Sequence, residues 1–158
     1  MKTLMAVLCS IAVLGANAAR AADPIVADPA ALQSLRDQLK TDKKAVVAKN
    51  MQLNEAEAAK FWPIYEAYER DRQPVEQRRT LAALDFIEAN EKLTDANAKR
   101  LMGEISGAES DELKLRSRYF DKMARAISPR RAARFMQIEA KIEALNRFDQ
   151  AVRIPLAQ

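Results

Sequence analysis

The sequence predicts an all-α protein, and three observations support that fold class. Only 3 of the 158 residues are glycine, which leaves few positions for tight hairpins or glycine-rich phosphate loops. Apolar residues recur every three to four positions, and no long segment keeps the alternation of a half-buried strand. The same helix-start pattern occurs three times along the chain. We therefore expect four long, kinked helices, arranged as an antiparallel hairpin or bundle.

Residues 1–22 have the pattern of a cleavable export signal. Lys2 supplies a positive charge, an apolar run of about ten residues follows, and several alanines then fit a cleavage site. The apolar run has roughly half the length of a membrane-spanning helix. We predict a periplasmic protein in which residues 23–158 form a single helical domain. The only cysteine, Cys9, leaves with the signal, so no disulfide is expected.

Two helix starts are predicted in the first half of the chain. Asp28-Pro29 joins a capping side chain to a proline at the first helical position, which predicts a first helix to about Asn50. Asn54 caps the second helix, because its side-chain oxygen can accept from the first turn, and Glu57 completes a capping box. The first helix is expected to turn four apolar side chains inward: Leu32, Leu35, Leu39 and Val46.

Two prolines are expected to divide the second helix. Pro63 and Pro74 each remove one backbone hydrogen bond, so we predict a bent helix to Gln73. The helix is expected to resume at Val75 and to end near Ala89. Three apolar side chains of this later part are expected to face inward: Leu81, Leu84 and Ile87.

The third and fourth helices are predicted to begin at capping hydroxyl groups. Thr94 predicts a third helix over residues 95–126, and Ser128 followed by Pro129 predicts a fourth helix to about Phe148. Each cap follows a branched apolar residue that can pack back against the first turn. The fourth helix is expected to bury four apolar side chains: Phe135, Ile138, Ile142 and Leu145.

The repeated caps resemble a known motif. Leu93-Thr94 matches the first two positions of the LTxxQ motif of the periplasmic Spy/CpxP superfamily, and Ile127-Ser128-Pro129 is similar to its proline-bearing variant. The glutamine of the motif is replaced here by Glu57, Asn97 and Arg131. The resemblance implies a curved, all-helical homodimer with a concave face. It also implies one of three activities: ATP-independent holding of unfolded proteins, damping of an envelope-stress sensor kinase, or metal sensing.

Aromatic side chains concentrate in one segment of the second helix. Phe61, Trp62, Tyr65 and Tyr68 lie close together, although only 6% of the chain is aromatic. Such side chains offer large, rigid contact areas, so one interpretation makes all four residues contacts for a client or partner polypeptide. The other interpretation places Phe61 and Tyr65 in the core and Trp62 at the bundle edge, since their spacing is also that of a core stripe.

Basic side chains concentrate along the third and fourth helices. Arg116, Arg118, Arg125 and Arg130 belong to a run of cations that only Asp121 opposes. This excess could steer anionic partners, such as an anionic membrane surface or an acidic segment of another protein. Alternatively, these arginines form a solvated face with charge pairs between helices. An exported protein is not expected to bind nucleic acid.

Composition excludes several kinds of chemistry. The chain has no histidine and one cysteine, which excludes histidine-dependent nucleophile systems. Soft-metal sites favour histidine and cysteine, which residues 23–158 lack, and the methionines of this segment are scattered, without close pairs. We expect no enzyme activity, no cofactor and no metal site. The favoured function is a periplasmic binding protein that holds non-native or partner polypeptides without ATP. Two alternatives stay open: a regulatory partner of an envelope sensor, and a structural protein at the membrane surface.

Overall fold

A computed structural model describes residues 29–89, 92–154 and 156 of the chain. These residues form four α-helices and no strand, which confirms the predicted all-α fold. The predicted signal, residues 1–22, and the predicted cap Asp28 lie outside the described residues. The chain divides into two compact units between Leu35 and Arg36. The helices are α1 (Pro29–Met51), α2 (Glu55–Ala89), α3 (Asp95–Ala126) and α4 (Pro129–Ala151).

Three helix starts follow the predicted caps. Asn54 Oδ1 accepts from the Glu57 backbone N–H at 2.9 Å, and the Glu57 carboxylate accepts from the Asn54 N–H at 3.1 Å, which completes the capping box. Thr94 Oγ1 accepts from the backbone N–H three residues later at 3.3 Å. Ser128 Oγ accepts in the same way at 3.2 Å, and Pro129 occupies the first position of α4. All three predicted capping side chains are confirmed.

The second helix is continuous across both of its prolines, so the interruption predicted at Pro74 is wrong. The carbonyls that lose their helical partners belong to Ala59 and Arg70, four residues before Pro63 and Pro74. All four residues are exposed. Water can therefore donate the missing hydrogen bonds, which explains why neither proline ends α2.

The first helix contains an interruption that the sequence pattern did not predict. At Asp42 the backbone leaves the helical region, with φ −157° and ψ 86°. The Asp42 carboxylate accepts from the Ala45 N–H at 2.9 Å and so caps a second helical segment. Just before it, the Thr41 hydroxyl donates to the Asp37 carbonyl at 2.8 Å. In a segment rich in charged residues, the sequence alone does not show whether an aspartate caps a helical segment or is simply an exposed side chain.

Contacts between side chains show that neighbouring helices run antiparallel. From one end of α2 to the other, its partners on α3 occur in reverse order: Asp71 with Tyr119, Arg78 with Asp111, and Asp85 with Arg100. The same reversal relates α1 to α4: Arg36 with Asp149, Lys43 with Glu139, and Met51 with Arg131. The predicted antiparallel arrangement is therefore confirmed within the second unit.

Aromatic rings join three helices in the core. Phe135 of α4 lies against three rings of α2, with centroids 5.4 Å from Phe61, 5.9 Å from Tyr65 and 5.5 Å from Tyr68. Tyr119 of α3 lies 5.4 Å from Tyr68. All of these contacts have edge-to-face geometry, which the charge distribution of aromatic rings favours. The first helix adds two fully buried side chains, Val47 and Met51.

The predicted inward faces of α1 and α4 are confirmed for most of their residues. Two of these residues are buried in α4, Phe135 and Ile142, and one in α1, Val46. Three more are half-buried: Leu39, Ile138 and Leu145. The remaining two, Leu32 and Leu35, belong to the first unit.

Candidate polypeptide-binding surface

Three of the four predicted aromatic contacts are core residues. Phe61, Tyr65 and Tyr68 are each at most 4% exposed. Their burial also raises the pKa of both tyrosine hydroxyls. These side chains offer no surface to a partner in this conformation. The structure therefore favours the core interpretation for Phe61 and Tyr65, and it places Tyr68 in the core as well.

Trp62 has a different environment from the other aromatic residues. Its side chain is half-buried and packs edge-on against Phe61 and Tyr65, with centroid distances of 5.0 and 5.3 Å. The Lys44 ammonium group lies 5.1 Å from the centre of the indole ring, in cation–π contact. Trp62 therefore lies at the bundle edge, as the second interpretation proposed, and its role as a partner contact stays a prediction.

The four predicted steering arginines fall into two groups that differ in their contacts. Arg116 is half-buried and donates to a backbone carbonyl of α4 at 3.2 Å. Arg118 is exposed and pairs with Asp71 of α2 at 3.4 Å. Both link neighbouring helices, as the alternative interpretation proposed. Arg125 and Arg130 are also exposed, and neither has an ion-pair partner among the described residues.

A buried ion network connects α2, α3 and α4, and the sequence analysis did not predict it. Arg79 of α2 donates to Glu143 of α4 and to Glu112 of α3, the latter at 3.3 Å; each of the three residues is at most 8% exposed. Arg147 donates to the same two carboxylates at 2.8 and 3.3 Å. Burial alone would raise the pKa of Glu143, but the hydrogen bonds from Arg79 and Arg147 lower it. The Glu143 carboxylate is therefore ionised at neutral pH.

Glu139 is also a buried carboxylate, but nearby cations offset the cost of its burial less well than they do for Glu143. Among the described residues, the one cation within hydrogen-bond distance of Glu139 is Lys43 of α1, at 2.9 Å, and Lys43 is shared with Glu69 at 2.7 Å. One oxygen of the Glu139 carboxylate has no hydrogen-bond partner in the described part of the chain. Burial raises the pKa of Glu139 above its ordinary value of 4.5, although Lys43 opposes this change.

This raised pKa predicts how a Glu139→Gln variant responds to pH. The folded protein disfavours the ionised carboxyl group, so wild-type stability carries a cost that grows as pH rises through the folded-state pKa. Glutamine stays neutral at every pH. The free energy of unfolding of Glu139→Gln, relative to wild type, should therefore increase between about pH 4 and about pH 8. Urea denaturation at both pH values measures this difference.

Glu66, an exposed glutamate of α2, supplies a control whose stability should change with pH in the opposite direction. The hydrogen bond from Lys44 lowers the pKa of Glu66, so its ionised form contributes stability that is lost as pH falls through the folded-state pKa. Glu66→Gln should therefore become less stable relative to wild type as pH rises. A Glu139→Gln variant that follows the direction of Glu66→Gln would contradict the assigned cost of burying Glu139.

The register of α2 puts three apolar side chains on its outer face, and we name Leu81, Leu84 and Ile87 the apolar stripe. Their predicted inward position is wrong, because they are 61%, 53% and 36% exposed. The inward residue here is Ala82, which is fully buried, and each neighbouring position on an α-helix is rotated by about 100°. The buried aromatic residues of α2 are spaced by alternate steps of four and three residues. The same spacing continues along the inward face through Arg72, Val75, Arg79 and Ala82.

The apolar stripe lies on the α2–α3 hairpin, close to where these helices are joined. Two ion pairs link the helices on this part of the hairpin, Arg78–Asp111 at 2.7 Å and Arg100–Asp85 at 3.6 Å. Residues three apart are neighbours on a helix surface, and a row with this spacing runs obliquely to the helix axis. Contiguous exposed apolar side chains are typical of sites that contact other proteins. The stripe is therefore the candidate binding surface.

Within residues 29–89 and 92–154, no group of three or more acidic side chains is placed so that it could hold a metal ion. None of the four described helices is both long enough and apolar enough to cross a membrane. Comparisons with protein-family models, with curated proteins and with solved structures find no match to this chain.

Proposed function

We propose that this chain is a periplasmic helical protein that holds non-native or partner polypeptides without ATP, through the apolar stripe. The observation that carries the proposal is the exposure of Leu81, Leu84 and Ile87 along one face of α2. Contact with an apolar segment of a client would remove these side chains from water, which favours binding. Apolar contact depends little on client sequence, so such a surface suits many non-native chains.

Two features of the sequence support this proposal. The caps at Thr94 and Ser128 resemble the motif of the Spy/CpxP superfamily, which implies holding of unfolded proteins or damping of an envelope sensor. The predicted export signal in residues 1–22 agrees with a periplasmic place of action. A regulatory partner of one sensor is the second candidate, and it differs in being selective for a single protein.

A Leu81→Gln/Leu84→Gln variant tests the role of the apolar stripe. Wild-type protein should suppress aggregation of an unrelated, chemically denatured enzyme at a near-equimolar ratio. The variant should need about tenfold more protein for the same suppression, because both leucines lose apolar contact with the client. Light scattering during dilution from denaturant measures this effect. Since both side chains are exposed, the free energy of unfolding should change by less than about 0.5 kcal/mol per substitution.

Leu113→Gln is the matched control, because Leu113 is also an exposed leucine but lies on α3 outside the stripe. It should suppress aggregation as well as wild type does. Equal losses in both variants would contradict a localised binding surface. A folded wild-type protein that suppresses no aggregation would contradict the holding function and favour a dedicated regulatory partner.

A further inference from the structure

A second surface lies at the other end of the α2–α3 hairpin, where two turns meet. Arg134 of α4 donates to the carbonyl of Asn50 at 2.6 Å, and Arg131 donates to the carbonyl of Met51 at 3.2 Å. Arg131 also pairs with Glu57 at the start of α2, at 3.3 Å. These contacts place the α1–α2 turn beside the α3–α4 turn. We name residues 49–60 and 121–134 together the basic platform.

The basic platform concentrates positive charge. It contains seven basic and three acidic side chains, an excess of four. Residues 23–158, which exclude Lys2 and Arg20 of the predicted signal, have a formal net charge of +2, so the part of this segment outside the platform has a net charge of −2. The basic side chains are Lys49, Lys60, Lys122, Arg125, Arg130, Arg131 and Arg134.

Most of these cations face solvent. All except Arg131 are exposed. Two helices begin and two end at this platform, so their dipoles oppose one another and the side chains set the local potential. The ammonium group of Lys122 lies 4.4 Å from the centre of the Tyr119 ring, whereas Arg125 and Arg130 have no ion-pair partner in the described part of the chain.

We propose that the basic platform binds the headgroup layer of an anionic lipid membrane. Its free cations come from the ends of four helices, so they are spread over an area and do not converge on one point. Such an arrangement matches the many separate phosphates of a lipid surface better than a single small anion, which needs convergent donors. The platform lies away from the apolar stripe, so this proposal does not depend on polypeptide binding.

Vesicle sedimentation tests the proposal with the full mature chain. Wild-type protein should bind vesicles that contain about one-third phosphatidylglycerol in phosphatidylcholine, and should not bind pure phosphatidylcholine. An Arg125→Gln/Arg130→Gln variant should bind about 30-fold more weakly, because each cation near such a surface contributes about fivefold. Binding should disappear at about 1 M salt, where the screening length falls to about 3 Å.

Lys92→Gln/Lys99→Gln is the charge-matched control, because both lysines are exposed and lie at the opposite end of the hairpin. It should bind within about twofold of wild type. Equal losses in the two variants would show that net charge, and not the platform, determines binding, and would overturn the proposal. So would equal binding to neutral vesicles, or binding of polyglutamate in the absence of any vesicle binding. Circular dichroism should show the same helix content in all variants.

Discussion

Replacing Arg79 with methionine should lower the free energy of unfolding by about 3 kcal/mol at neutral pH. The substitution keeps an unbranched apolar side chain but leaves the buried Glu143 with one arginine, Arg147, where two were present. Glu112 keeps Arg147 at 3.3 Å and the more distant Arg116 at 4.0 Å. A buried carboxylate that loses its cation no longer has the attraction that offset its desolvation. Urea denaturation followed by circular dichroism measures the loss.

The adjacent residue supplies the control for this experiment. Arg78 also pairs with a carboxylate of α3, Asp111 at 2.7 Å, but these side chains are 44% and 43% exposed. Arg78→Met should therefore lower the free energy of unfolding by less than about 1 kcal/mol. If Arg79→Met costs no more than Arg78→Met, the buried network contributes no more stability than a surface ion pair.

Replacing Phe135 with alanine should lower the free energy of unfolding by about 4 kcal/mol. This side chain is fully buried and is surrounded by rings of Phe61, Tyr65 and Tyr68. Its removal takes away apolar burial and leaves a cavity that three large rings cannot readily fill. Urea denaturation at neutral pH measures this loss as well.

Phe148→Ala is the matched control, since Phe148 lies in the same helix and is exposed. Its removal should change the free energy of unfolding by no more than about 0.5 kcal/mol. Similar losses at both positions would contradict the assignment of Phe135 to the core. A large loss of stability in Phe148→Ala alone would mean that the face of α4 that carries Phe148 is buried.

Local chemistry made the helix boundaries predictable. The capping side chains of Asn54, Thr94 and Ser128 act on backbone groups within three residues, so their effect can be inferred from a short stretch of sequence. The response of α2 to Pro74 was not predictable in this way. Whether a proline ends a helix depends on what can reach the freed carbonyl, and here the residue that carries it, Arg70, is exposed.

The rotation of α2 about its axis determines which of its side chains are exposed and which are buried. Leucines predict an inward face when only hydrophobicity is considered, yet Leu81 and Leu84 are exposed and Arg79 is buried. The partners of Arg79 lie 33 and 64 residues further along the chain, so their pairing depends on the tertiary fold. The spacing of the aromatic residues in α2 could have predicted the inward face, because the same spacing continued along the helix reaches Arg79.

The ion pairs between α1 and α4 join distant parts of the chain. Arg36 and Asp149 are 113 residues apart, and Lys43 and Glu139 are 96 apart, whereas the α2–α3 pair of Arg78 and Asp111 spans 33. Lys43 also pairs with Glu69 of α2, only 26 residues away. Closing a longer loop costs more chain entropy, so the contacts of α2 with α1 and with α3 should form during folding before the pairs between α1 and α4. During synthesis, α1 leaves the ribosome long before α4 does, so Arg36 has no Asp149 to pair with until nearly all of the four helices have been made.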